Sequence, residues 1–142
     1  MKLLLTLCLL ILTLFAAHID KYAAEMGFER DYKTALAKAK KAKKPLMMVL
    51  GADYCPWCRK FERKTLSSKL VQPYLKNDVI TLIVDKRYDI ESFPKEFRTS
   101  FTPKVFFINP FTQKSFYETT AYMKKRDFAD ELDTVKEFYK IN

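Results

Sequence analysis

Histidine and cysteine are scarce in this chain. One histidine, His18, and three cysteines, Cys8, Cys55 and Cys58, are spread over 142 residues. A structural zinc site draws four ligands from one chain; with a single histidine and no second cysteine pair these are lacking, so metal binding is not expected. The same shortage argues against a disulfide framework, which staples distant segments with four or more cysteines. Long apolar runs are equally few, and beyond Leu3–Ala17 no stretch suits a membrane. No internal repeat, low-complexity tract or linker divides the chain, and its length, with 49% hydrophobic residues, suits one domain with a buried core. Acidic residues are outnumbered, 17 against 26 lysines and arginines, for a net charge of +9. The excess is distributed along the whole chain and reads as a solvated basic surface; nucleic acid is not an expected partner.

What is present begins with Met1-Lys2 and a block, Leu3 to Ala17, broken only by Thr6, Cys8 and Thr13. One positive charge, an apolar block short of the roughly 20 residues of a membrane span, and small residues after it read as a cleavable secretory signal over 1–17. The cut is expected near Ala16 or Ala17, and an uncleaved membrane anchor is the alternative. Export removes Lys2 and Cys8, leaving 25 basic and 17 acidic residues, a net charge of +8, and one local cysteine pair in an oxidising compartment. The terminus, Tyr139-Lys140-Ile141-Asn142, carries no retention signal, which favours a bacterial periplasm over the endoplasmic reticulum.

Residues 18–30 show little pattern beyond Tyr22, Met26 and Phe28 and read as a lead-in with a turn near Gly27. From Asp31 periodicity sets in. Tyr32, Ala35, Leu36, Ala39 and Ala42 recur at helical spacing with lysines on the other faces, an amphipathic helix that Pro45 stops. Leu46–Leu50 is a continuous apolar run, as a strand covered on both faces requires. Gly51-Ala52-Asp53-Tyr54 makes a turn, Cys55 opens a helix with Phe61 and Leu66 inside, and Ser67 caps a short helix through Leu75 that Pro73 interrupts. Val79–Val84, closed by Asp85, is a second buried strand. Ile90–Phe101 reads as a helical segment with Phe93, Phe97 and Phe101 facing inward. Val105–Ile108 and Ser115–Thr119 supply two more strands joined by a hairpin connection, and a last helix presents Phe128, Leu132, Val135 and Phe138 or Tyr139. This order predicts an α/β fold over 31–142, a mixed sheet with helices on both faces.

The pair Cys55-Pro56-Trp57-Cys58 sits where the first strand hands over to a helix. Positions i and i+3 share a helix face, so both sulfurs can meet within one turn. A thiolate, not a thiol, attacks a disulfide, and a helix N-terminus with cations nearby lowers a thiol's pKa. Cys55 has that terminus, with Arg59, Lys60, Arg63 and Lys64 following, so it is the expected attacking sulfur; Cys58, one turn in, resolves the mixed disulfide. Pro56 fits a first helical turn, and Trp57 offers either an aromatic surface to a partner chain or a ring capping the core edge. A purely structural bridge is disfavoured, because closing so short a loop constrains the unfolded chain little.

Over about Tyr32 to Tyr139 the sequence resembles the thioredoxin superfamily, in particular its exported members. The resemblance rests on Cys55-Pro56-Trp57-Cys58, the Ala35–Pro45 helix, the strand ending in Asp85, and Thr102-Pro103 ahead of Val105-Phe106-Phe107-Ile108. It implies a thioredoxin-like fold with a central sheet of four to five strands, a cis proline at Pro103 beside the active disulfide, and a Thr102 backbone that pairs with substrate. It further implies an exported thiol–disulfide oxidoreductase that acts on protein thiols and disulfides as a monomer. Such an enzyme needs no cofactor beyond the Cys55–Cys58 disulfide, which a membrane or soluble redox partner recharges. Thioredoxins carry Gly-Pro between the cysteines and a buried Asp six residues before the first; here Pro-Trp and Val49 stand in those places, and Thr81 replaces the accompanying lysine. Asp53, in the turn, is the candidate to assist Cys58, against the plainer reading of an exposed turn residue. The Pro-x dipeptide is similar to that of disulfide-forming oxidases, yet 44 residues between Cys58 and Pro103 are too few for the helical domain those oxidases insert, which favours a reductase. A non-catalytic binding module that holds partners in the groove of Trp57 and Thr102-Pro103 is the rival from another class.

Overall fold

The computed structural model describes residues 18–141. The signal-peptide reading of 1–17 lies outside the described residues, as does Cys8. The stretch expected as a lead-in forms a helix, α1 (His18–Met26), because Ile19, Tyr22, Ala23 and Met26 fall on one stripe and pack into the core. Gly27, at φ +69°, ends it in a conformation that costs glycine nothing. Asp31 then caps α2 (Tyr32–Ala42) by accepting the Thr34 N–H at 2.8 Å. Lys43, in the left-handed region at φ 53°, closes that helix before Pro45 is reached.

Four strands make the sheet: β1 (Leu46–Gly51), β2 (Ile80–Asp85), β3 (Lys104–Ile108) and β4 (Ser115–Thr120), in the order β2-β1-β3-β4. β1 and β2 are parallel, and the other two pairings are antiparallel. Every residue of β1 is buried, as a central strand between two helical layers must be. One layer sets α1, α3 (Pro56–Phe61), α4 (Gln72–Asn77) and α5 (Lys125–Ile141) against Met47, Val49, Ile83, Val105 and Phe107. The opposite layer sets α2, with Phe93 and Phe97, against Leu46, Met48, Leu50, Leu82 and Phe106. This is the two-sided, mixed α/β arrangement that the pattern of runs predicts.

The helix after Cys55 widens into a π-turn over Glu62–Leu66, with the Ser67 N–H bonded to the Glu62 carbonyl at 3.0 Å. Five-residue spacing does not keep one face of an α-helix, but a π-turn restores it, so Phe61 and Leu66 both reach the core. Three expectations are corrected. Phe101 is 68% exposed: Pro94 bars a helix from entering through the residue before it, only a 3₁₀ turn, Lys95–Phe97, forms, and the chain at Arg98 is extended. Ser67 does not cap α4: Ser68 accepts the Val71 N–H, and Pro73 lies in the first turn of α4, where a missing N–H costs little. Ala42 is exposed; of the two alternatives on the last helix, Tyr139 is half-buried against Phe116, while Phe138 is more exposed with its ring against Tyr117.

Candidate active site

β1 delivers the chain to the upper edge of the sheet at Gly51, against which Cys58 packs; a Cβ on Gly51 would stand 3.8 Å from the Cys58 sulfur. The turn that follows is pinned from the neighbouring strand. Asp85, 2% exposed at the end of β2, accepts the Asp53 N–H at 2.9 Å with one oxygen and the Arg87 and Tyr88 N–H groups at 2.7 and 3.0 Å with the other. A buried carboxylate with this many backbone donors is fully satisfied as an anion, and it locks two loops together.

Cys55 is the N-cap of α3. Its backbone is extended (φ −99°, ψ 102°), and its sulfur accepts the Cys58 N–H at 3.1 Å, so a helix-terminal dipole points at this sulfur. Cys55 and Cys58 form a disulfide with Cα atoms 5.2 Å apart, well within normal reach. The two ends differ in access: Cys55 is 8% exposed and Cys58 2%. Pro56 occupies the first helical turn.

Across from the sulfurs the Thr102–Pro103 peptide bond is cis, Pro103 is buried, and the Thr102 carbonyl lies 3.7 Å from the Cys55 sulfur. The Pro103 carbonyl is held by the Ala121 N–H at 2.9 Å. Trp57, 55% exposed, leans on Tyr122 with ring centroids 5.7 Å apart, and a groove of about 270 Å³ runs between Trp57, Tyr122, Ala121 and Thr102-Pro103. Cys55, Cys58, Pro56, Trp57, Thr102 and Pro103 are thus gathered at one sheet edge from segments 45 residues apart.

A profile of the family described as thioredoxin-like matches residues 27–110, more than half of the chain. The chain belongs to the thioredoxin-like family. Among solved structures, this thioredoxin-like protein is similar to a thioredoxin from Thermus thermophilus (21% identity, TM-score 0.67, covering 76% of this chain and 85% of that one). It is also similar to a DsbH oxidoreductase (18%, 0.62, 80% and 85%). A third likeness is to the DsbD C-terminal domain of Neisseria meningitidis in its oxidised form (16%, 0.56, 75% and 97%). Comparison with curated proteins finds no match. With the family, the fold and the Cys55–Cys58 disulfide in hand, the enzyme class is thiol–disulfide oxidoreductase.

Asp53 is exposed in the turn, and its bond to Asp85 is made by its backbone. Val49 pairs with Ile83 in the parallel register, and Thr81, two residues earlier in β2, pairs with Met47. The buried acid of the active-site helix is Glu62, 3% exposed, one turn beyond Cys58. Its carboxylate accepts from Arg59 and from His18 of α1, each at 2.8 Å, and the Arg59 guanidinium also donates to the Ala52 carbonyl at 3.3 Å. Tyr22 donates to the Glu62 backbone carbonyl at 3.0 Å. Burial pushes the Tyr22 phenol up to about 12; a hydrogen bond with Ser67 opposes the rise, and the Glu62 charge adds to it. Sequence reasoning missed Glu62 because it lies inside a basic helix-like stretch; the available signal was its place one turn after Cys58, on the side of Phe61 and Leu66.

Proposed function

We propose that this protein reduces disulfides of exported proteins. In the dithiol form the Cys55 thiolate attacks one sulfur of a substrate disulfide, forming a mixed disulfide and releasing the other substrate sulfur as a thiolate. Cys58, deprotonated, then attacks the Cys55 sulfur, which frees the second substrate thiolate and leaves the Cys55–Cys58 disulfide. Two electrons pass from the cysteine pair to the substrate, and a donor dithiol returns them. The observation that carries this reading is the placement of Cys55: its sulfur caps a helix, faces the Thr102 carbonyl, and is the more exposed of the pair. Trp57, Thr102 and Pro103 line the groove in which the substrate chain would lie, with the Thr102 backbone pairing to it.

The reductase direction is supported by what lies between Cys58 and Pro103. Among the described residues that segment holds the π-turn, α4, β2 and one 3₁₀ turn, with no inserted helical domain of the kind disulfide-forming oxidases carry. Export is supported by the 1–17 segment and by the single local cysteine pair; no described helix is long and apolar enough to cross a membrane. Direction is tested by equilibrating the pair against a redox buffer. A reduction potential near the thioredoxin end, about −270 mV, fits a reductase, and one near about −120 mV assigns the protein to the oxidases instead. A Cys58→Ser variant tests the protein-substrate claim, since it should accumulate disulfide-linked partners in the periplasm, and recovery of none with a reactive Cys55 would overturn it. Absence of insulin reduction, with an ordinary Cys55 thiol, would leave the non-catalytic binding module as the better reading.

A further inference from the structure

Two aromatic rings on each side of Cys55 hold a cation. On one side the Lys60 ammonium stands 4.7 Å from the Trp57 ring centre and 4.8 Å from that of Tyr122, at the wall of the groove. On the other side the Arg87 guanidinium lies 4.7 Å from the Tyr54 ring and 5.8 Å from that of Tyr88, while Lys86, 5.8 Å from the Tyr54 ring, is engaged by the Ser100 carbonyl at 2.8 Å. Tyr54 and Tyr88 are 54% and 64% exposed, so this side is open to a partner. The strand order β2-β1-β3-β4 separates the two cations: Arg87 follows β2, Cys55 follows β1, and Tyr122 follows β4. Neither Lys60 nor Arg87 has a carboxylate within ion-pair distance among the described residues. The nearby buried acids are engaged elsewhere, Asp85 by backbone N–H groups and Glu62 by Arg59 and His18. The Arg87 pKa is raised first by its hydrogen bond with Tyr88, and the charge of Asp53, exposed in the turn, adds to the rise.

We propose that this rim selects substrate polypeptides whose reactive cysteine is flanked by acidic residues on both sides, a specificity that rests on the oxidoreductase reading above. A cation held over aromatic faces keeps its charge available while the rings supply apolar contact, a pairing suited to an extended chain that carries carboxylates between apolar side chains. Neighbouring strands are spaced about 4.8 Å, so β2 to β4 spans roughly 14 Å, about four residues of extended chain at 3.3 Å each. With the cysteine over Cys55, a carboxylate one or two positions before it and another one or two positions after it reach the two cations.

The test uses the full chain and three synthetic peptides that differ only at the two positions on each side of one cysteine, which carry Asp, Asn or Lys. With that cysteine as a glutathione mixed disulfide, the dithiol protein should reduce the Asp peptide about tenfold faster than the Asn peptide and the Lys peptide more slowly still. The ratio of Asp to Asn rates should fall close to one in about 1 M salt, where the screening length is about 3 Å, and also in the double variant Lys60→Gln, Arg87→Gln. Equal rates, or a preference that survives the double variant, would overturn the proposal. A second arm needs no chemistry: the same peptides with Ser for Cys, fluorescently labelled, are titrated with the disulfide form. If no peptide is reduced but the Asp version binds more tightly and loses that advantage in the double variant, the recognition surface stands and the oxidoreductase reading falls. If binding is indifferent to the flanking charge, the recognition proposal falls whatever the redox result.

Discussion

Arg59 and Lys60 are consecutive, carry the same charge and stand on the same helix, yet they do opposite things. Arg59 turns in, joins Glu62 and the Ala52 carbonyl, and with His18 closes a charged cluster beneath the active-site turn. Lys60 turns out and lies over two aromatic rings. The inner cation meets a carboxylate that is 3% exposed, where an unmatched charge is costly; the outer one, half-buried, meets only ring faces. A basic helix next to a redox cysteine is therefore not one electrostatic feature: half of it holds the fold and half of it lies on the aromatic wall of the groove.

The contrast is sharpest at Glu62. Glu62→Ala leaves Arg59 and His18 facing a buried void and should cost about 3 kcal/mol in urea unfolding, with Glu62→Gln recovering part of it. A loss no larger than that of a surface charge would erase the distinction between inside and outside. Arg59→Ala should cost about 2 kcal/mol by the same measurement, and Arg59→Lys less, because an ammonium keeps the charge but cannot serve Glu62 and the Ala52 carbonyl with one planar group. Tyr22→Phe removes the hydrogen bond to the Glu62 carbonyl and should cost about 1 kcal/mol near neutral pH. The phenol's folded pKa, about 12, lies above its ordinary value of 10. Its contribution is complete below pH 10 and lost as pH rises towards 12, so the gap between wild type and Tyr22→Phe should close across that window in unfolding curves. Lys60→Ala should move stability by only about 0.5 kcal/mol, the scale of an exposed cation–π contact; a loss near that of Arg59→Ala would make the outer cation structural.

Much of the fold was legible because burial on both sides writes itself as uninterrupted apolar runs. Leu46–Leu50 and Val79–Val84 needed no context to be read as buried strands, and the alanine stripe of α2 declared its inner face. The site was legible where chemistry is local: Cys55, Pro56 and Cys58 sit within one turn. What escaped was non-local. α1 shows its stripe in only nine residues, and its value lies in His18 and Tyr22 reaching Glu62, 44 and 40 residues later. Asp85 reads as a strand terminator, but its carboxylate crosses to the turn before Cys55, 32 residues away. Phe101 misled because the four-residue spacing ran on past Phe97, where the 3₁₀ turn gives way to extended chain.

The N-terminal segment has one more consequence, at the border of the sheet. After α1 the chain bridges Glu29 to Leu82: the Glu29 N–H donates to the Thr81 carbonyl at 2.8 Å, and its carbonyl accepts the Ile83 N–H at 3.0 Å. These two bonds occupy the free edge of β2. At the far border β4 has a register shift where Phe107 passes to Ile108, and it carries the exposed Glu118 and Thr120. An open sheet edge is a template on which the strand of another chain can add itself and aggregate; with one border hydrogen-bonded and the other irregular and carrying a charge, this sheet offers little such template.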